Sequence, residues 1–441
     1  MISSIGINNN SYKKYSFTNN KVAKSQVVNN STNPNVYNPG FYPILPKQIS
    51  FGSAQSAVIE ELKNQKLSLI LENTNIMKTL RVFKHKKEEA VLEICKKMGM
   101  DVDNIDRSAL PELLSWSKTE IKKTLSRNFE GISFLDSKIQ NASGKYSSGL
   151  DIWETAMDKE VAGFAQVKKN LLNQYLKPVL DEKNGINARV PSGVVLYGHE
   201  GMMKENFALS LSQQAGTDIE FIEPSSDNFI SEIELILNNA KKTYQEDRTR
   251  TIICVNKIDE LADTNPNSQK IVDYLKTRLD NCSKTPDEHN QGYASTFFFM
   301  ASDPNKIHKD LRRGKIGDFI GINPTSTDYI KDMFKFKLNS LDVDSDVLDY
   351  ERLIQLTKPD ETKGAFSSSA LDKIFDISLN VAMEDKQHHF QSYLEYGLNK
   401  FERDISPEEY KKIRTIERKL EAPTRSQEEI DRLKREMGIQ D

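Results

Sequence analysis

The sequence predicts a doubly wound α/β domain in the middle of the chain, at residues 150–337. Three short apolar runs, at residues 193–197, 251–255 and 296–301, have the length and the β-branched or aromatic content of buried parallel strands. Helical segments lie between the runs, and such alternation is typical of a parallel sheet covered by helices on both faces.

Helical segments are predicted on both sides of this domain. Residues 56–145 show the apolar spacing of amphipathic helices and predict a helical N-domain, and residues 347–403 are again helical. Residues 1–53 are rich in Asn and Ser. We expect this tail to be disordered, because it holds too little apolar surface to offset the entropy of ordering.

Two charged helices are predicted at the C-terminus, within residues 404–441. Ser406 and Ser426 each precede a glutamate by three residues, which is the pattern of a capping box. Apolar side chains at helical spacing follow each box and require a partner surface, in this chain or another. In the first helix these are Tyr410, Ile413, Ile416 and Leu420.

The composition excludes several classes of function. The chain has 441 residues, of which 37% are hydrophobic, and a formal net charge of -3, so its bulk charge gives no reason to expect nucleic acid as a partner. Its three cysteines are far apart and predict neither disulfides nor a metal site. No apolar run approaches the roughly 20 residues of a membrane span, and the N-terminus lacks the apolar block of a signal peptide. We therefore expect a cytoplasmic protein.

The segment GHEGMMKE, which follows the first apolar run, has the spacing of a phosphate-binding loop. In such a loop, backbone N–H groups and the next helix hold a phosphate, a lysine neutralises it and a Ser or Thr hydroxyl ligates Mg²⁺. Gly198, Gly201 and Lys204 stand as this pattern requires. Met203, however, occupies the position of the second motif glycine, and Glu205 occupies that of the hydroxyl.

Segments before and after this loop resemble the AAA+ ATPase family, in particular the branch that includes the AAA proteases. The resemblance covers roughly residues 150–400, in the family's order and spacing. It rests on VAGFAQVKKNL (161–171), PSGVVLYG (191–198), IICVNKIDEL (252–261), FFFMASDPNKIHKDLRRGKIGDFIGI (297–322) and GAFSSSALDKIF (364–375).

The resemblance implies an α/β P-loop NTPase (AAA+) domain followed by a small helical lid domain at residues 347–403. It also implies that Val161, Ala162 and Gly163 border an adenine, and that ATP or ADP is the nucleotide. Family members form rings, so a homo-oligomer or an active AAA+ subunit is the implied protein partner.

The residues that would carry hydrolysis are substituted. Asn256 and Lys257 stand where the family has the acidic pair that organises the metal and activates water, and a lysine cannot serve as the base. Asp303 replaces the sensor asparagine. Of the two arginine-finger positions, Arg312 is kept but Lys315 lacks the guanidinium fork. We therefore expect no Mg²⁺ site.

An alternative alignment shifts the second motif by three residues and makes Asp259 and Glu260 the acidic pair. We disfavour it, because Asn256 and Lys257 would then lie inside a buried strand, where an unpaired charge is costly. In the favoured alignment, Asp259 shapes the turn of the second motif.

Two further expectations concern the substituted site. Glu205 is predicted to pair with Lys257 or Lys204 and to fill the place of the metal, although solvated charges in an open cleft are an equal alternative. In addition, the sequence passes directly into a helix at Phe229, which leaves no room for the aromatic-glycine pore loop of active unfoldases.

The favoured hypothesis for function is a non-hydrolysing AAA+ module, a scaffold or regulatory subunit that binds nucleotide weakly or not at all. The first alternative is a divergent but active ATPase that relies on Lys204 and on Asp259 or Glu260. A third hypothesis, a secreted effector, rests only on the Asn-rich N-terminus.

Overall fold

The computed structural model describes most of the chain from Phe51 onward. The described residues are 51–85, 110–143, 150–286, 291–312, 316–324, 328–340, 348–384 and 390–421. The predicted N-terminal tail up to residue 50 and the second predicted C-terminal helix lie outside them.

Two long helices precede the α/β domain, α1 (Phe51–His85) and α2 (Leu110–Ser143). The ammonium of Lys66 on α1 is fully buried and lies 2.6 Å from the carboxylate of Asp136 on α2. The hydrophobic core that these two helices share also includes α3 (Leu150–Asp158).

The sheet has five parallel strands in the order β2-β3-β4-β1-β5. The three predicted strands are confirmed, the third with one additional residue at its start. The two flanking strands, β2 and β5, are not predicted by apolar runs: β2 is only partly buried, and β5 has three residues. The strands are β1 (Gly193–Tyr197), β2 (Asp218–Ile222), β3 (Thr251–Val255), β4 (Ser295–Ala301) and β5 (Phe319–Gly321).

Helices cover both faces of the sheet. Side chains of β4 alternate between two cores, with Phe298 in the core that contains α1 and α3, and Phe297 and Phe299 in the core on the opposite face. These helices are α4 (Ala165–Leu171), continued through a π-helical turn (Leu172–Leu176) into α5 (Lys177–Lys183), then α6 (Lys204–Ala215), α7 (Phe229–Asp247), α8 (Leu261–Thr264), α9 (Ser268–Cys282) and α10 (Lys309–Arg312).

Four further helices share a separate hydrophobic core, in which Phe334 stacks on Phe375. The predicted boundary of the α/β domain at residue 337 falls inside the first of them. They are α11 (Asp328–Ser340), α12 (Tyr350–Thr357), α13 (Ser368–Glu384) and α14 (Phe390–Lys400).

The last described helix, α15 (Pro407–Glu421), packs on the α/β domain. Its predicted capping box is confirmed: Ser406 Oγ accepts from the Glu409 N–H, and the Glu409 carboxylate accepts from the Ser406 N–H at 2.9 Å. Three residues of its apolar stripe are buried against this chain, and only Leu420 is exposed. The buried ones are Tyr410, Ile413 and Ile416.

Candidate functional site

The predicted phosphate loop connects β1 to α6 at the carboxyl edge of the sheet, where open α/β sheets bind ligands. Gly198 lies against the next segment so closely that a Cβ there would be 2.1 Å from the carbonyl oxygen of Ile322. Met203, which precedes α6, adopts φ 59, a left-handed conformation that favours glycine. The backbone therefore keeps a glycine-like conformation at this position, while the methionine side chain packs against the core of α11–α14.

Lys204 is turned back into its own loop. Its ammonium donates hydrogen bonds to the carbonyl oxygens of Gly198 at 2.7 Å and His199 at 3.0 Å, and only 7% of the residue is exposed. Burial lowers the pKa of Lys204, although nearby carboxylates, Glu205 foremost, act in the opposite direction. Lys204 is thus a buried side chain whose Nζ is held by carbonyl groups of the loop.

The predicted pairing of Glu205 with Lys257 or Lys204 is wrong. Lys257 instead lies 3.3 Å from the carboxylate of Glu200 in the phosphate loop, and this hydrogen bond and charge raise the pKa of Lys257. Glu205 is exposed on the first turn of α6 and has no ion pair among the residues that the structure describes. The physical reason is helical geometry: consecutive residues point about 100° apart, so Glu205 projects away from the side on which Lys204 is buried.

The second motif begins where β3 ends, at Val255. Asn256 lies just beyond the strand, and its N–H donates to Ile222 at 2.9 Å. Lys257 takes a left-handed conformation, φ 51, and a 3-10 turn (Ile258–Glu260) follows. The strand therefore ends where the favoured alignment places its end.

Asp259 connects the second motif to the segment after β4. Only 6% of this residue is exposed, and its Oδ2 accepts the N–H groups of Ser302 at 3.0 Å and Asp303 at 2.8 Å. Its Oδ1 is buried without a hydrogen-bond partner among the described residues. These contacts tie the turn after β3 to the segment after β4, and the turn-shaping role of Asp259 stays a prediction.

Asp303, at the sensor position, pairs with a residue from the C-terminal helix. Its carboxylate lies 2.7 Å from the ammonium of Lys412 on α15 and accepts the N–H of Asn305 at 3.0 Å. Burial alone would raise the pKa of Asp303, but these hydrogen bonds and the lysine charge lower it below its usual value. At neutral pH the carboxylate of Asp303 is therefore ionised, and it is bound by Lys412 and by the N–H of Asn305.

Helix α15 contacts three residues, each of which lies two positions beyond the end of one of three neighbouring strands. Glu409 lies 3.8 Å from His199 after β1, and Lys412 pairs with Asp303 after β4. The third residue is Asn323, after β5, whose side-chain NH₂ donates to the buried carboxylate of Glu417 at 3.1 Å. These contacts were not predicted from the sequence, although the apolar stripe of α15 indicated that a partner surface was needed.

Helix α13 also contacts the loop. The N–H and the hydroxyl of Ser369 donate to the carbonyl oxygen of Gly201 at 3.0 and 3.1 Å. Gly201 has φ 78, and a Cβ there would be 2.9 Å from Ser367 Oγ. The start of α13 is therefore seated on the phosphate loop.

The predicted adenine border lies next to α6, the helix that follows the phosphate loop. Val161 and Ala162 are buried, and Gly163 approaches Tyr329 so closely that a Cβ would be 2.9 Å from its Cα. The neighbouring Phe164 stacks on Tyr329 with ring centroids 4.9 Å apart and meets Phe207 of α6 edge-on at 5.8 Å. Aromatic rings thus connect this segment to α6 and α11.

A cavity of about 570 Å³ lies beside the predicted adenine border. Ala162 and Gly163 line it together with charged side chains, so one of its walls is polar. These charged residues are Asp158, Lys159, Asp332 and Lys335.

The arginine-finger segment is only partly described. The guanidinium Nε of Arg312 is buried without a hydrogen-bond partner in the described part of the chain. The prediction for Lys315 concerns a position outside the described residues.

The residues present do not fit a phosphate-bound Mg²⁺. Glu205, at the hydroxyl position, is exposed, and the two acidic positions hold the Asn256 amide and the Lys257 cation. In the described ranges, no cluster of three or more His, Cys, Asp or Glu side chains could hold a metal ion.

None of the described helices is long and apolar enough to cross a bilayer.

A protein-family model matches part of the chain. Residues 194–324 match the model of the ATPase family associated with various cellular activities (AAA), which supports an AAA-family ATPase domain over that part of the chain. The matched segment runs from β1 through β5 and contains the segments predicted to be the phosphate loop, the second motif and the sensor position. No curated protein matches the chain.

Proposed function

We propose that the AAA-family domain at residues 194–324 is a pseudo-ATPase module, which acts as a scaffold or regulatory unit and binds nucleotide weakly or not at all. The observation that carries this proposal is the state of the second motif. Lys257 faces Glu200, and Asp259 is engaged by two backbone N–H groups. Neither side chain is arranged to take a proton from water.

The contacts of α13 and α15 support the same proposal. Nucleotide-dependent work requires the helical lid to move relative to the phosphate loop. Here Ser369 donates to Gly201, and α15 links three strand ends. We infer that the contact between α13 and the loop favours one arrangement of the two, which suits a binding surface better than a motor.

The protein partners follow from this role. A homo-oligomer or an active AAA+ subunit would use the α/β domain, whereas other proteins would use α1 and α2 or the C-terminal segment.

A divergent active ATPase is the second candidate, and one observation favours it. Asp259 keeps a buried oxygen without a partner among the described residues, and its charge acts on Lys204. In this alternative, Asp259 or Glu260 would control the attacking water.

Phosphate release from ATP distinguishes the two candidates. We expect wild-type protein with Mg²⁺ to release phosphate no faster than the Lys204→Ala, Asp259→Asn and Glu260→Gln variants. Turnover above that background, lost in Lys204→Ala and in one of the acid variants, would establish the alternative.

A further inference from the structure

Basic side chains from three parts of the chain meet at the phosphate loop. Lys204 begins α6, Lys257 follows β3 and Lys412 lies on α15. His199 of the loop lies opposite Glu409, which is one turn of α15 before Lys412. Because β1 lies beside β4 in the sheet, the residues that follow these two strands are neighbours. The three lysines of this arrangement provide positive charge of the kind that a phosphate ligand requires.

Carboxylates of the chain face three of these basic groups. Glu200 lies 3.3 Å from Lys257, Asp303 lies 2.7 Å from Lys412, and Glu409 lies 3.8 Å from His199. The three acids come from the phosphate loop, from the segment after β4 and from α15. A chain of contacts links them, because Glu200 follows His199 in the loop and Glu409 lies one turn before Lys412 on α15.

We propose that Glu200, Asp303 and Glu409 act as internal counter-anions that keep polyphosphates out of the loop. This inference rests on the proposed function of residues 194–324 as a nucleotide-type site without hydrolysis. A polyphosphate that enters the loop must displace these carboxylates from their partners and then remain beside them. The repulsion between like charges at short distance opposes its binding.

Two of the acids are held in place by further contacts. The side chain of Asp303 is only 12% exposed and accepts the N–H of Asn305. Glu409 is fixed by the capping box with Ser406, whose hydrogen bonds lower the pKa of Glu409. Glu200 and Lys257 are exposed, so that pair contributes through its charge more than through a fixed geometry.

The decisive variant neutralises all three acids: Glu200→Gln, Asp303→Asn and Glu409→Gln together. Each substitution keeps the size of the side chain, and Gln at position 409 still suits a capping box. The matched control neutralises three acids of other ion pairs, those of Lys63, Lys242 and Lys337. It consists of Asp151→Asn, Glu246→Gln and Asp376→Asn, and changes the net charge by the same amount.

Calorimetric titration with inorganic pyrophosphate, and with ATP without Mg²⁺, measures the effect. We expect the triple variant to bind at least about tenfold more tightly than the wild type, and the control to stay within about twofold of it. Equal affinity of the triple variant and the wild type, including no binding by either, would overturn the inference. So would an equal gain in the control.

Two further measurements keep the test decisive. Asp303→Asn alone, with folding verified by thermal melting, replaces the triple variant if that variant does not fold, and should bind at least about threefold more tightly than the wild type. An unchanged affinity would again overturn the inference. Turnover of ATP by the wild type would reject the proposed function instead, while the ratio between variant and wild type would still test the role of the acids.

Discussion

Gly201 is the residue at which the phosphate loop meets the first turn of α13. Its carbonyl oxygen accepts two hydrogen bonds from Ser369, and its φ of 78 lies in the left-handed region. Both the conformation and the lack of a side chain are thus required here. Gly185, in the turn after α5, has a similar φ of 75, but no atom lies within 4 Å of its ideal Cβ position.

Comparing alanine at these two glycines separates backbone strain from the contact between the loop and α13. Gly185→Ala should lower the free energy of unfolding by about 1 kcal/mol, which is the cost of φ above zero for a residue with a Cβ. Gly201→Ala should cost roughly 1–3 kcal/mol more, because its Cβ overlaps Ser367 and Ser369. Urea denaturation of both variants measures this difference, and equal costs would mean that α13 is not seated on the loop.

Asp303 gives a prediction for the dependence of stability on pH. Its pKa is lowered in the folded protein, so its contribution is present above the unfolded value of 3.8 and is lost as pH falls through the folded value. Asp303→Asn should therefore cost about 1 kcal/mol at pH 7 and progressively less below pH 3.8. Denaturation at several pH values tests this, with Asp376→Asn in an exposed pair as the control. A cost that does not change with pH would show that the pair with Lys412 does not form.

At the scale of elements, the central strands were predictable and the flanking strands were not. The runs that form β1, β3 and β4 are buried along their whole length, so their apolar content alone identified them. The strand β2 lies at an edge of the sheet with three of its five residues only partly buried, and β5 is too short to form an apolar run.

The contacts of the predicted site residues could not be predicted from the sequence. The segment order located the phosphate loop, the second motif and the sensor position. The partner of Lys257 was missed for two reasons. The helical phase of Glu205 decides whether its carboxylate points toward Lys257, and the fold of the loop decides whether Glu200 reaches Lys257. The partner of Asp303 was missed because Lys412 is more than a hundred residues away in sequence, and only packing of α15 brings it close.

Helix α15 is an integral part of the α/β domain, and its apolar stripe provides the test. Ile413 is 8% exposed and belongs to the core that contains α1 and α3, whereas Leu420 on the same helix is 42% exposed. Ile413→Ala should lower the free energy of unfolding by about 2–4 kcal/mol. Leu420→Ala should change it by less than about 0.5 kcal/mol. Chemical denaturation compares them, and equal small effects would mean that α15 is not docked in solution.

At the scale of the whole molecule, the sheet keeps the frame of a nucleotide-binding domain while its ligand edge is occupied by other parts of the chain. Helix α13 reaches the phosphate loop, α15 spans three strand ends, and Phe164 stacks on Tyr329 next to the predicted adenine border. Each of these contacts suits a domain that holds one arrangement. The frame itself does not require hydrolysis, since activity depends on the residues of the site and not on the fold.

The most direct test of this account is calorimetric titration of ATP into the wild type and Lys204→Ala, with and without Mg²⁺. We predict an affinity on the order of 1 mM or weaker. We also predict that it does not increase with Mg²⁺, because Glu205, Asn256 and Lys257 provide no metal site. Tight binding that requires both Mg²⁺ and Lys204 would contradict the account and would indicate an active ATPase.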